Sequence, residues 1–375
     1  MKSLIPLVCC VLMLNDLSAQ EPDLSHVGTI REKATAWTAY CESLRLNVNK
    51  AADNYVLLEK AALKGIALVP AADAVNRSHF FFYAAFGNYY QVKFDSAQYY
   101  FYQSLYEAQK IRAGELVATA CVALIPVNFQ LRQQDKVDSC KNLLQSVLDT
   151  THNIKVLQDG YSALGSYYQQ KSYYGTAQDY ILKSVALRKK TIDTTSDMKL
   201  RADYAIQCYM LSKQYQNTDV PDKSLAVLRE GQPYSAASPL VAVRYLSSFT
   251  EAFALMGRID SAMKYEKLLE AATAGSPTVP SELVSANMNM AKYYLDHHQA
   301  SAAVPYVTRA DTLATKSRSP ILLYQAEMIK GRYLQQTGNY AEAVGLFNQS
   351  LPVARQISKE QYAEELKYMA LAEKV

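Results

Sequence analysis

The sequence contains few residues that break helices. Its 375 residues include only 13 Gly and 12 Pro. All-β and disordered chains usually contain more of both, so the composition argues against these classes. One Trp and 10 Phe stand beside 29 Tyr. A Tyr ring can pack while its hydroxyl stays in water, which suits a thin structure with much surface. The composition therefore favours an extended helical protein.

Motifs for catalysis or metal binding are also missing. The sequence has no Gly-rich phosphate loop, no Gly-x-Ser-x-Gly elbow and no His-Glu-x-x-His. His297 and His298 are adjacent at a predicted turn, without a third His or a Cys at ligand spacing. The carboxylates are scattered, and none form a pair that suggests a general acid and base. We therefore predict a protein that is not an enzyme, with no catalytic residue, no metal and no cofactor.

The charges are balanced and dispersed. The chain has 39 basic and 35 acidic residues, a formal net charge of +4, and no block of one sign. This pattern argues against a nucleic-acid partner. Beyond the N-terminus, no apolar run approaches the roughly 18 residues of a membrane-spanning helix. We therefore expect no integral membrane segment in the mature chain.

The N-terminus has the features of a processing signal. Lys2 precedes the apolar run at 4–14, LIPLVCCVLML, which is too short to span a bilayer. Ser18-Ala19 then offers small residues for cleavage. We predict that residues 1–19 are a signal peptide and that the protein is exported, either to the periplasm or out of the cell. A retained short anchor is the alternative.

Four cysteines remain after cleavage: Cys41, Cys121, Cys140 and Cys208. Their spacing fits neither a zinc site nor a disulfide framework, so we predict buried free thiols. Cys121 and Cys140 lie on the two helices of one predicted hairpin, at unequal distances from its turn, and we expect them not to face each other. Export to an oxidising compartment leaves a disulfide as the alternative.

One helical hairpin recurs along the chain. Residues 321–357 are predicted to form two amphipathic helices joined by a turn at Gly338-Asn339, with Gly331 on the first helix and Ala343 on the second. Residues that align with Ala343 are Ala97, Ser139, Ala177, Ser224, Ala262 and Ala303, at intervals of 38 to 47 residues. Residues that align with Gly331 are Ala85, Val127, Gly165, Gln207, Thr250 and Ala291. The pattern predicts one array of about seven repeats, in which each unit contacts mainly its neighbours.

These motifs resemble the tetratricopeptide repeat (TPR). The resemblance covers about residues 78–357 and is closest at Tyr161–Leu187 and Tyr324–Leu351. The period of about 41 residues exceeds the 34 residues of the usual repeat. It is more similar to the period of the MalT-like long-period group. The resemblance implies an all-α, right-handed superhelical solenoid of antiparallel helix pairs.

The two ends lack the small-residue pattern. We predict an N-terminal helical cap at 20–76, with helices at 24–46 and 49–69, followed by TPR-like repeats at 77–357. A capping or half-repeat helix is predicted at 358–375. Atypical terminal units are expected because one side of each faces water.

The resemblance also implies a binding groove lined by the first helix of each repeat. Its N-terminal part would carry His79, Phe82, Phe86, Tyr89 and Leu124. Its middle would carry Asn128, Ser162, Ser166, Gln169, Arg201 and Tyr204. Its C-terminal part would carry Arg244, Glu251, Lys292, Arg332 and Gln335.

This set has an apolar end and a basic end, with Glu251 as its only acid. It predicts an extended peptide or chain terminus with acidic groups as the ligand. The alternative is that these are ordinary solvated helix residues and that Phe82, Phe86 and Tyr89 belong to the core. An alignment error of one residue would be enough to move a residue from the groove to another face of its helix, since it rotates a helical position by about 100°.

Three functions are consistent with the sequence. The first is an exported, non-catalytic TPR scaffold that binds a protein or peptide in its concave groove. The second is the extracytoplasmic sensory domain of a bacterial histidine kinase or transcriptional regulator, without its output module, because the chain resembles such sensor halves. The third is a carbohydrate-binding accessory protein that uses its tandem tyrosines. The sequence does not specify an oligomeric state.

Overall fold

The computed structural model describes residues 21–24, 28–46, 54–192, 196–274, 281–317 and 319–357. Within these ranges the regular structure is entirely α-helical. The helices are α1 (Ile30–Leu46), α2 (Asn54–Leu68), α3 (Ala74–Tyr90), α4 (Phe94–Lys110), α5 (Gly114–Gln130), α6 (Gln134–Leu148), α7 (Ile154–Gln170), α8 (Tyr174–Ile192), α9 (Met198–Asn217), α10 (Pro221–Ser235), α11 (Pro239–Leu255), α12 (Ile259–Thr273), α13 (Ser281–Asp296), α14 (Ala300–Ser317), α15 (Pro320–Gln336) and α16 (Tyr340–Ile357).

Successive helices pack as hairpins, such as α3 with α4, α9 with α10 and α15 with α16. The first helices of neighbouring hairpins also contact one another: α1 with α3, α9 with α11, α11 with α13, and α13 with α15. The predicted all-α helical repeat solenoid is therefore confirmed.

The chain divides into two compact units between Tyr167 and Tyr168. The sequence predicts a single array. Repeats that contact mainly their neighbours provide few long-range contacts to unite distant ones, so a division of this kind is compatible with a solenoid.

Seven of the hairpins share one turn conformation. A residue with positive φ occurs at Val92, Arg132, Ser172, Asp219, Gly257, His298 and Gly338, at spacings of 40, 40, 47, 38, 41 and 40 residues. The N–H of the following residue donates to the carbonyl five residues before it, as from Lys93 to Asn88 at 3.0 Å. This bond closes the helix end as in a Schellman motif.

A buried residue follows five positions after each of these turns. Ala97, Ala177, Ser224, Ala262, Ala303 and Ala343 are all 0 % exposed, as the sequence alignment predicts. The alignment is wrong at Ser139, which is exposed. Val137, five positions after the turn at Arg132, is buried in its place. The turn rather than residue size sets the register, so a Val can occupy the position.

The same register corrects the first-helix alignment. Seven positions before the turns lie Ile125 and Ser212, where the sequence alignment places Val127 and Gln207. Gly331 is confirmed at this position. A Cβ atom there would overlap the Phe347 ring, so glycine permits the close approach of α15 and α16.

The first N-terminal helix is shorter than predicted. Helix α1 begins after a capping box, in which the Thr29 N–H donates to the Glu32 carboxylate at 3.0 Å and the Glu32 N–H donates to Thr29 Oγ1 at 3.2 Å. This cap places the start at Ile30 rather than at Leu24. The predicted signal peptide and the helix predicted at 358–375 lie outside the described residues. The boundary between residues 76 and 77 stays a prediction.

Val92 is conformationally strained in its turn, because a β-branched residue is unfavourable at its φ of 63°. Its side chain is 70 % exposed and has little packing to lose. We expect Val92→Gly to raise the free energy of unfolding by about 1 kcal/mol, measured by thermal denaturation. Val75→Gly is the matched control: Val75 is also exposed, but it lies in the first turn of α3, where φ is negative, so there the substitution should not stabilise the protein. A loss of stability in Val92→Gly would contradict the role of this turn.

Candidate functional site

A cleft lies between the first helices α1 and α3 of the N-terminal unit. Its volume is about 420 Å³, and it opens widely to solvent. The lining residues are Thr35, Thr38, Ala39 and Glu42 from α1 and Val75, Asn76, His79 and Tyr83 from α3. On each helix they recur mainly at steps of three or four residues, so each set occupies one helical face.

A hydrogen-bonded carboxylate links the two helices at this cleft. The Tyr83 hydroxyl donates to Glu42 Oε2 at 3.1 Å. Arg45 donates from Nε to Glu42 Oε2 at 2.7 Å and from Nη2 to Oε1 at 2.5 Å. The Arg45 guanidinium also lies 5.6 Å from the centre of the Phe86 ring. Glu42 is thereby oriented, although its side chain remains 36 % exposed.

The protonation states follow from burial. Burial lowers the pKa of His79, although the Glu42 carboxylate opposes this shift. Burial, reinforced by Glu42, raises the pKa of Tyr83. At neutral pH the imidazole and the phenol are therefore both uncharged, and Glu42 is the one acidic residue among those that line the cleft.

The predicted aromatic residues continue from the cleft along α3. Phe82 and Phe86 are half-buried and pack against the core of the N-terminal unit. The Phe86 ring lies 4.7 Å from Tyr90, which stacks on Tyr55 at 4.8 Å. Tyr89 is half-buried and contacts Phe94 edge-on at 5.6 Å. These rings serve packing, as the core alternative predicts, and Tyr90 brings the row to the surface with 46 % exposure.

Three of the predicted groove residues are wrong, because they are buried. Leu124 and Asn128 are 0 % exposed and Tyr204 is 1 % exposed. Asn128 accepts a 2.6 Å hydrogen bond from Gln98, and Tyr204 donates one of 2.6 Å to Glu230. Both Asn128 and Tyr204 point toward second helices, which a small rotational error about a helix axis is enough to explain.

The prediction of a basic end to the groove is also wrong, because two of its cations are paired with acidic side chains. Arg244 Nε pairs with Glu282 Oε1 at 3.3 Å, and Arg332 Nη2 pairs with Asp296 Oδ1 at 2.6 Å. Glu251 pairs with Lys213. Each pair joins two neighbouring first helices. Glu251 is therefore not the only acid on these helices, and Glu282 and Asp296 were missed because sequence spacing does not reveal pairing between helices.

The other predicted groove residues are distributed along the first helices. Lys292 is exposed, whereas Arg201, Ser162, Ser166, Gln169 and Gln335 are half-buried. The Ser166 hydroxyl donates to the Ser162 carbonyl within α7 at 3.1 Å. A role for these residues in binding stays a prediction.

The four cysteines are buried free thiols, as predicted. The expectation that Cys121 and Cys140 do not face each other is wrong, because the two thiols lie close enough for each to shift the pKa of the other. Asn128 Nδ2 also donates to Cys140 Sγ at 3.6 Å. The neighbouring Cys140 thiol and burial together raise the pKa of Cys121. Unequal distances from the turn do not separate two side chains whose helices lie against each other.

Neither metal ligation nor membrane spanning has a structural basis in the part of the chain that the structure describes. Within those ranges, no three His, Cys, Asp or Glu side chains are grouped to hold a metal ion. No helix in them has both the length and the apolarity to cross a membrane. His298 occupies one of the hairpin turns, and His297 Nδ1 lies 2.8 Å from the Tyr293 carbonyl oxygen.

No protein-family model matches the chain, and no curated protein matches it. Solved structures do match. A Rap protein complexed with competence and sporulation factor is 12% identical, with a TM-score of 0.57 over 92% of this chain and 97% of that chain. A tetratricopeptide repeat protein from Parabacteroides merdae is 13% identical, with a TM-score of 0.53 over 78% of this chain and 99% of that chain. The fold is that of tetratricopeptide-repeat proteins.

A signal-transduction ATPase with a TPR sensor, from Pyrococcus horikoshii, is also similar. It is 14% identical, with a TM-score of 0.58 over 93% of this chain and 50% of that chain. At such identities the likeness shows the fold alone. Assignment to the MalT-like long-period group of TPR proteins stays a prediction.

The burial of Asn128 predicts a structural role rather than ligand contact. Asn128→Ala removes partners of Gln98, Tyr102 and Cys140 and should lower the free energy of unfolding by about 2 kcal/mol. Urea denaturation followed by circular dichroism measures this. The exposed Asn142 is the matched control, and Asn142→Ala should stay within about 0.5 kcal/mol of wild type. Equal stability of the two variants would contradict the assignment.

Proposed function

We propose that the protein is an exported, non-catalytic TPR scaffold that binds a protein or peptide on the surface formed by its first helices. The supporting observation is the cleft between α1 and α3. It combines an oriented carboxylate, hydroxyl groups and an uncharged imidazole, and aromatic rings continue beside it along α3. A concave site with a few fixed polar groups beside apolar and aromatic side chains is typical of binding sites.

The arrangement of Glu42 suits recognition of a ligand group. Its carboxylate accepts hydrogen bonds from Arg45 and Tyr83, which hold it in one orientation beside the cleft.

A sensory role is the second candidate. The matched Rap protein is complexed with competence and sporulation factor, and the matched ATPase from Pyrococcus horikoshii carries a TPR sensor. By analogy, ligand binding to this chain would be relayed to an output module. The reading frame beyond Val375 tests this candidate: a hydrophobic segment followed by a kinase or helix-turn-helix module would support it, and a stop codon without an adjacent regulator gene would contradict it.

An acidic ligand is a narrower proposal for the C-terminal unit. Since Arg244 and Arg332 are paired with acids, this preference would rest mainly on Lys292, which is exposed. The carbohydrate alternative has less support, because tandem tyrosines pack on each other: the rings of Tyr293 and Tyr294 meet edge-on at 5.4 Å.

The binding surface can be tested with peptides selected from a random library on the chain from residue 20 onward. A photoreactive residue in place of Thr35 should crosslink to a selected peptide. The same group in place of Tyr99, which is 57 % exposed on the second helix α4, is the matched control and should not. Crosslinking from position 99 alone, or no enriched peptide, would argue against the proposal.

Export can be tested separately by expressing the full chain in a bacterium with a periplasm. We expect the N-terminal sequence of the recovered protein to begin at Gln20, because Ser18-Ala19 offers the cleavage site. Leu7→Arg places a charge within the apolar run and should leave the protein uncleaved in the cytoplasm. Ser3→Arg is the matched control, because it adds the same charge before the run and should still be exported. Cytoplasmic, full-length wild-type protein would contradict export.

A further inference from the structure

We propose that the cleft between α1 and α3 binds an ammonium group carried by a peptide, either a lysine side chain or the N-terminal amine. The inference rests on the proposed peptide-binding function and names the chemical group recognised at that site. It assigns the N-terminal unit a preference opposite to the acidic ligand that the sequence predicts.

Three donors of the lining already have acceptors within the protein. The Thr35 hydroxyl donates to the Arg31 carbonyl at 3.0 Å. The Asn76 side-chain amide donates to the Asp73 carboxylate at 2.7 Å. The Tyr83 hydroxyl donates to Glu42 at 3.1 Å. These groups therefore offer the cleft mainly oxygen lone pairs, which need a ligand that donates hydrogen bonds.

A third hydroxyl of the lining, that of Thr38, lacks a partner among the described residues. Its Oγ1 atom is buried. A buried polar atom without a partner destabilises the protein. A ligand donor or a bridging water at this position would remove that penalty.

The charge of the lining residues favours a ligand that is positively charged. Glu42 contributes a carboxylate that is 36 % exposed, and His79 is held uncharged by burial. Arg45 is engaged with Glu42 and lies against Phe86. Arg45 offsets part of the Glu42 charge but is not among the lining residues, so a ligand in the cleft meets the carboxylate rather than the guanidinium. An anionic ligand would therefore meet a group of like charge. An ammonium group is positive and has three donors, so it complements both the charge and the acceptors.

The test uses defined peptides and a local reporter. The resonances of His79, one of five histidines, are followed by proton NMR during titration of the chain from residue 20 onward. One probe is an N-acetylated glycine-rich pentapeptide amide with a central Lys, and another has a free N-terminus and no Lys. The matched controls carry Nε-acetyl-lysine or Glu at the centre of the N-acetylated peptide.

We expect saturable shifts of the His79 ring resonances with the amine-bearing peptides, and at least tenfold weaker binding of both controls. A larger response to the central Lys identifies a side chain as the source of the amine, and a larger response to the free N-terminus identifies the chain end. Binding of acetyl-lysine or Glu as tight as that of Lys would overturn the proposal.

Two variants test the site itself. Glu42→Gln removes the charge and should weaken binding at least tenfold. Glu59→Gln is the matched control, because Glu59 also pairs with a cation, Lys93, but lies outside the cleft. Ala39→Leu fills the cleft from an exposed helix position without touching the Glu42–Arg45 pair. It should also abolish binding, which keeps the test valid if Glu42→Gln does not fold.

Wild-type affinity in both Glu42→Gln and Ala39→Leu would overturn the ammonium site. The proposed function has a separate outcome. Library peptides that bind the chain but ignore these substitutions would leave peptide binding intact and refute only the ammonium site. If no library peptide binds at all, the proposed function fails.

Discussion

Seven hairpin turns share one backbone conformation. A residue with positive φ is followed by a residue whose N–H donates to the carbonyl five residues before it. This turn determines which residue of the second helix packs against the first helix: it is the residue five positions after the turn. At six of the seven turns that residue is a fully buried Ala or Ser, and at the remaining one it is Val137. Close approach of the two helices depends on this register, and the packing of each hairpin on the next depends on the hairpin's shape.

The candidate site follows from that packing. Hairpins stacked in one sense bring their first helices side by side, as with α1 and α3 in the N-terminal unit and α9 to α15 in the C-terminal unit. The surfaces differ in chemistry. In the C-terminal unit, cations and acids of neighbouring first helices pair, as with Arg244 and Glu282. In the N-terminal unit, Glu42 is oriented by Arg45 and Tyr83 beside an open cleft.

Much of the fold could be predicted from the sequence, because a hairpin repeated about every 41 residues places a buried residue, in most repeats a small one, at the same position. That reasoning failed at Ser139, since it sought a small residue where the turn requires only a buried one. The site was less predictable. His79 was identified from its repeat, but Thr35 and Glu42 lie on α1, outside the recognised repeats. Asn128 and Tyr204 were misplaced because a small rotation about a helix axis decides between groove and core.

The central claim is that ligands contact the first helices beside the cleft in the N-terminal unit. Hydrogen exchange of the whole mature chain, with and without a library-selected peptide bound, tests it most directly because it surveys every helix in one measurement. We expect slower exchange in α1 and α3 and unchanged exchange in α4. Protection confined to second helices such as α4, with α1 and α3 unchanged, would contradict it.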